Sequence, residues 1–316
     1  METWTRELVD EKATSSWNEI IEFRTGRNTP DALAMLDERL FRLRPEFPLQ
    51  LSFEDSVGHA TKTYIPEYVA ALSEMHYLKK LTLQLHLRQP FTLRGGLRQL
   101  EQLQIWPGKF PCDIPFIDAL PNLRTLRLAN EIKDFIPIRS LERLESLSIS
   151  ATVPSLDFLA KMNISSLLLD RCRIKAGWEF LASATIECLD LSSNVQLEDI
   201  SFLESCASLK NLRLSQSKVT AFCEFSRLTS LEKLEIRNMP KLADLGPLSQ
   251  ARGLRRIVLE GLGSGIKARD FQCLLDLPLL EELDIRFLDF SEKQIKAKAV
   301  LRLFEEAGKG PLVTCI

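Results

Sequence analysis

Three histidines, seven cysteines and one glycine-rich stretch are where chemistry would have to begin in this sequence. His59, His76 and His86 have no cysteine or carboxylate at ligand spacing, and a zinc centre needs three or four such donors. Cys112, Cys172, Cys188, Cys206, Cys223, Cys273 and Cys315 are scattered one per segment, without the clustering of a disulfide framework. They are expected as reduced thiols, mostly buried as small apolar residues. No serine sits in a G-x-S-x-G elbow, and no Cys–His arrangement can be argued. The stretch GLGSGIKARD at residues 261–270 lacks the G-x-x-x-x-G-K-(S/T) order of a phosphate loop and reads as a turn. Asp170 and Asp190 could stand close on neighbouring strands as a carboxylate pair, but on an open surface. The expectation is a chain that is not an enzyme, with no catalytic, cofactor-binding or metal-binding residue and no cofactor.

Charge narrows the partner class. The 316 residues carry 41 Lys and Arg against 43 Asp and Glu, a net charge of -2. No basic block tracks a phosphate backbone, so nucleic acid is not expected as a partner. No uninterrupted apolar run is long enough to span a membrane, so no membrane association is expected either. The opening METWTRELVDEKATSSWNEIIEF holds no apolar run of leader length. A cytoplasmic location is therefore expected, although export by a signal-independent route would leave no such mark.

What positions the side chains is a repeated frame, Leu-x-x-Leu-x-Leu. It begins at Leu78, Leu100, Leu123, Leu144, Ile164, Ile186, Leu209, Leu231, Leu254 and Leu280, at intervals of 20 to 26 residues. Ten in-phase copies at that period indicate a solenoid, in which each layer packs only on its neighbours. In IECLDLSSNVQLEDISFLESCASL the residues Ile186, Leu189 and Leu191 point inward, and Cys188, Asp190 and Ser192 take the other face of a short strand. Asn194 follows where a side-chain amide can bond the turning backbone. A second pattern recurs beyond each strand: an Asp or Ser before two apolar residues three apart, as in Asp113-Ile114 with Ile117, Asp134-Phe135 with Ile138, Ser155-Leu156 with Leu159, Asp199-Ile200 with Leu203 and Asp244-Leu245 with Leu248. With Pro115, Pro137 and Pro247 close behind, this reads as capped 3₁₀ turns.

The unit L-x-x-L-x-L-x-x-N-x-x-(I/L)-x-D-(I/L)-x-x-L resembles the 22-residue class of leucine-rich repeats, as in bacterial internalins and a protein-phosphatase regulatory subunit. The resemblance covers roughly residues 78–287. It implies an α/β leucine-rich repeat solenoid: a curved parallel sheet, a concave face of strands, a convex face of short 3₁₀ turns, and helical caps. The Asn position departs from the pattern. It is clear only at Asn194; Asn130 and Asn238 come one residue early, and Arg173 and Ser217 stand at the corresponding places elsewhere.

Both ends need covering. Residues 1–77 are expected as a helical cap and one lead-in strand, 78–290 as ten repeats, and 291–316 as a capping helix and tail. In the first part Thr29 caps a helix with Pro30 in its first turn and Leu33, Leu36, Leu40 and Leu43 along one side. Leu49, Leu51 and Phe53 form the strand, an apolar stripe of Leu8, Trp17, Ile20 and Ile21 precedes it, and residues 54–70 read as an outlying loop. At the far end Ser291-Glu292-Lys293-Gln294 is a capping box, and Gly308 is the stop.

The outward strand positions form columns. Small residues dominate from Ala129 to Ser166, with Trp106 at their flank as a rigid anchor unless Pro107 turns its ring inward. Beyond lies dense charge of both signs. The residues expected to bind a partner are Trp106, Arg127, Asp170, Asp190, Arg213, Lys233, Glu235, Arg237, Arg256, Glu260 and Arg286. The function read from this is recognition of a folded protein partner (a toxin, an enzyme or a host protein) through the concave face, as a stoichiometric inhibitor or immunity protein. A secreted effector, a regulatory adaptor and a self-associating structural protein stay open as alternatives, and a monomer is expected over a homo-oligomer.

Overall fold

The computed structural model describes residues 3–16, 18–53, 66–85, 91, 93, 95–108, 112–288 and 290–315, without the side chains of 290–294. Trp17, His59, His86 and residues 54–65 of the expected loop lie outside them. The chain forms two compact units, residues 1–153 and 154–316.

In the first unit, β1 (Ile21–Arg24), β2 (Leu49–Ser52), β3 (Lys80–Leu85), β4 (Gln102–Pro107), β5 (Thr125–Asn130) and β6 (Ser146–Val153) pair in chain order, all parallel. Two strands thus precede the repeats where one was expected. Ile21 and Phe23 are buried but Ile20 is exposed, so the N-terminal stripe is made of Trp4, Val9, Ile21 and Phe23. The helix α1 (Arg6–Thr14) lies before β1, and α2 (Asp31–Leu36) runs on into a π-helical segment, Asp37–Phe41. Pro30 occupies the cap position of α2, and the carbonyl of Thr29, not its hydroxyl, takes the first N–H. Leu33, Leu36 and Leu40 are buried, whereas Leu43 is exposed, because the wider π turn rotates it out of the apolar phase. Residues 66–70 are not loop but the start of α3 (Pro66–Ser73).

In the second unit, β7 (Ser166–Asp170), β9 (Cys188–Ser192), β10 (Asn211–Ser215), β11 (Lys233–Met239), β12 (Arg256–Leu262), β13 (Glu282–Arg286) and β14 (Val313–Cys315) are likewise parallel neighbours, with the two-residue β8 (Arg173–Ile174) off this run. The helix α4 (Phe290–Glu306) buries Ala297, Val300 and Phe304, leaves Ile295 and Ala299 exposed, and stops at Gly308, after which the expected tail returns to the sheet as β14. It opens at Phe290, ahead of Ser291, so Ser291 stands in the first turn and not before it.

The inward positions carry the core. Leu81, Leu103, Leu126 and Leu147 in the first unit, and Leu167, Leu189, Leu212, Leu234, Ile257 and Leu283 in the second, are all buried. Full burial of each stabilises the fold by roughly 1.5–3 kcal/mol before entropy is counted. The capped turns form as the spacing implies: Asp134, Asp199 and Asp244 accept from the backbone N–H two residues on, at 2.8–2.9 Å, and Ser155 does so at 3.1 Å. In a weaker copy, Gly177-Trp178 with Leu181, glycine stands in place of Asp or Ser; its backbone is left-handed (φ +92), and a Cβ there would stand 2.7 Å from the backbone nitrogen of Leu156.

A left-handed residue stands just past the repeat frame in several layers. Asn130, Arg171, Ser193, Asn238 and Gly261 have φ between 49 and 65, each two positions after the last residue of its Leu-x-x-Leu-x-Leu frame. This bends the backbone at that point, and explains why Asn130 and Asn238 come early: they serve the bend itself. The architecture is a leucine-rich repeat solenoid.

Candidate functional site

The alternation that buries Leu212 aims Arg213 outward, and parallel pairing aligns such positions from strand to strand. In the second unit three rows result. One runs Ser166, Cys188, Asn211, Lys233, Arg256, Glu282; the middle one runs Leu168, Asp190, Arg213, Glu235, Val258, Asp284. The third pairs Asp170 with Ser192, Ser192 with Ser215, Arg237 with Glu260 and Glu260 with Arg286. Between them lies a depression of about 620 Å³.

Its walls are ion-paired. Arg213 Nε stands 3.7 Å from both Asp190 Oδ2 and Glu235 Oε1. Arg237 binds Glu235 and, at 2.6 Å, Glu260. Arg286 holds Asp284 at 2.7 Å and approaches Glu260 at 3.8 Å, and its bond to Asp284 raises its pKa above the usual guanidinium value. Arg256 meets Glu282 at 3.2 Å. An unbroken chain of charges therefore runs from Asp190 to Asp284.

Nine of the residues expected at the site share this strand face, namely Asp170, Asp190, Arg213, Lys233, Glu235, Arg237, Arg256, Glu260 and Arg286, and all but Asp170 and Glu260 line the depression. Asp284, which the sequence places on this face without a role, proves to be the anchor of Arg286. Its position in the middle row was the available signal. Asp170 and Asp190 do not form a carboxylate pair: Asp170 faces Ser192 across the ladder and bonds Arg171 at 3.0 Å, while Asp190 lies opposite Leu168. Their offset of one row follows from their different places in the frame.

Trp106 and Arg127 belong to the first unit. Trp106 is 45% exposed, so Pro107, itself buried, has not turned the ring inward. Arg127 is exposed between Gln104 and Ser148. Among the described residues no three His, Cys, Asp or Glu side chains are grouped to hold a metal, and no helix is long and apolar enough to cross a membrane. Burial pushes the Cys112, Cys223 and Cys273 thiols up to about 12, and those of Cys206 and Cys315 to about 11. Cys188 is half-exposed on the strand face and accepts a 3.1 Å hydrogen bond from Asn211.

No protein-family model and no curated protein matches the sequence. Solved structures do resemble it. An internalin, InlF, of Listeria monocytogenes is 16% identical over 81% of this chain and 88% of its own, with a TM-score of 0.47. Internalin C2 of the same organism is 24% identical over 56% of this chain and 74% of its own (TM-score 0.41). A leucine-rich repeat protein of Leptospira interrogans is 18% identical over 90% and 80% respectively (TM-score 0.41).

Proposed function

We propose that the strand face of residues 154–316 binds a folded protein partner, and that the chain acts in the cytoplasm as a stoichiometric inhibitor or immunity protein. The observation that carries this reading is the alignment of charged side chains around one depression, on a sheet whose apolar core lies on the opposite, inward side. A preformed face of this kind binds with little rearrangement. Dense charge of both signs favours one complementary partner over others, which is what an inhibitor of a single target requires.

The test is affinity purification from the native organism with wild type and with Arg213→Glu/Arg256→Glu, followed by mass spectrometry. A partner recovered at one-to-one stoichiometry with wild type, and depleted by well over about tenfold with the variant, is the expected result. Trp106→Ala is the parallel arm for the first unit. Equal recovery by all three proteins would move the search to the ends of the chain. A recovered partner whose activity is unchanged on binding would replace inhibition with an adaptor role.

A further inference from the structure

The charges on the second unit's strand face come close in number, five basic against six acidic, but differ in height. The side chains of Arg213, Arg256 and Arg286 are 43–50% exposed, whereas those of Asp190, Glu235, Glu260 and Asp284 are 11–28% exposed. Guanidiniums thus stand over a lower layer of carboxylates. Two residues depart from this: Arg237, at 29%, is clamped between Glu235 and Glu260, and Glu282, at 50%, lies at the margin beside Arg256.

A second observation points the same way. Lys233 and Arg256 lie directly opposite each other on β11 and β12. Like charges placed so are destabilising, and Lys233 is exposed with no ion pair among the described residues. Among the described residues Arg213, on the adjacent β10, is held only by two long contacts of 3.7 Å. Three accessible cations therefore cluster on β10–β12 with spare capacity for anions.

Resting on the protein-binding reading above, we infer that this face takes a carboxylate-rich segment of its protein partner, seated on Arg213, Lys233 and Arg256. Nucleic acid fits less well. Five arginine and lysine side chains share these strands with the six carboxylates of Asp170, Asp190, Glu235, Glu260, Glu282 and Asp284. A duplex, with a charge about every 1.7 Å, needs a face of net positive charge. A short acidic segment can meet the three raised cations and leave the lower carboxylates to their present partners.

The test is selection of a phage library of random twelve-residue peptides on the full chain, with counter-binding to Arg213→Gln/Lys233→Gln/Arg256→Gln. Peptides enriched in Asp and Glu, binding wild type at least about tenfold better than the variant and more weakly as salt rises, are the expected outcome. Face-dependent peptides that are apolar or basic would overturn the acidic-segment inference while leaving the protein-binding reading in place. The absence of any face-dependent peptide would overturn both. Binding of a duplex DNA probe as tight as that of the selected peptides would also overturn the inference. Should the triple variant fail to fold, Lys233→Gln alone breaks no ion pair among the described residues and is expected to lose part of the same binding.

Discussion

Gln216 does for Asn194 what Asn194 does for Cys172. The Gln216 Oε1 accepts from the backbone N–H of Asn194 at 3.1 Å, and the Asn194 Oδ1 accepts from the backbone N–H of Cys172 at 3.0 Å. Asn194 also donates to the Leu169 carbonyl at 3.0 Å, whereas the Nε2 of Gln216, equally buried, has no partner among the described residues. The side-chain ladder between repeats is therefore continued by a residue one place earlier and one methylene longer than the pattern asks.

Asn194→Ala should accordingly cost more stability than Gln216→Ala. The first removes two buried hydrogen bonds, to the Cys172 N–H and the Leu169 carbonyl; the second removes one, and an orphan with it. Each stranded group costs about 1–3 kcal/mol. Urea unfolding of the two variants checks the order, and a larger loss for Gln216→Ala would contradict the ladder.

The left-handed residues past the frame give changes of opposite sign. Ser193→Gly should stabilise by roughly 0.5–1 kcal/mol, because its φ of 54 suits glycine better than serine. Gly261→Ala should destabilise, since its Cβ would stand 2.9 Å from Asn238 Oδ1 and Leu288 Cδ1 in a backbone already at φ +65. Thermal melts read both shifts, and the same sign for the two would show that these turns relax.

The charge chain should be unequal in its links. Arg213→Ala, which gives up two contacts of 3.7 Å on an exposed side chain, should change stability by less than about 0.5 kcal/mol. Arg237→Ala takes from Glu235 and Glu260, diagonal neighbours in the ladder, the cation they share. It leaves each, among the described residues, only a long contact to Arg213 or Arg286, and should cost about 1 kcal/mol, more at low salt. Arg213 is thus the cleaner probe of binding. Denaturation at two salt concentrations tests the ranking.

Buried thiols set an alkaline limit. With Cys112 and Cys223 pushed up to about 12 by burial, the folded chain keeps protons that the unfolded chain releases above about pH 8.5. Their contribution is whole below that pH and is lost as pH rises toward 12, at up to about 1.4 kcal/mol per unit for each thiol. The loss between pH 8 and pH 10 should be smaller in Cys112→Ala/Cys223→Ala than in wild type. Equal losses would mean that other groups govern the alkaline transition.

The strand register was legible because Leu189, Leu212 and Leu234 recur in frame, and a slip of one residue would bury Asp190 or Arg213 instead. The nine charged residues that share the strand face follow from that register alone. Other features had no such guide. The strand β1 offers only Ile21 and Phe23, too short an alternation to separate from the preceding Ile20. Leu43 leaves the core through a π turn that no apolar spacing announces. Gln216 takes over the ladder through side-chain length, not position. The layering of cations over carboxylates depends on which rotamers the pairs adopt, and Lys233 and Glu235 look equivalent until their neighbours are in place.

Leu212 and Arg213 are adjacent in the chain yet answer to separate demands. The one is fixed by the layers above and below it; the other meets only solvent and a few movable charges. Mutational drift at the second kind of position can therefore change partners in single steps, without passing through an unfolded ancestor. At the first kind only another apolar side chain will do, as Ile257 shows in the place of leucine.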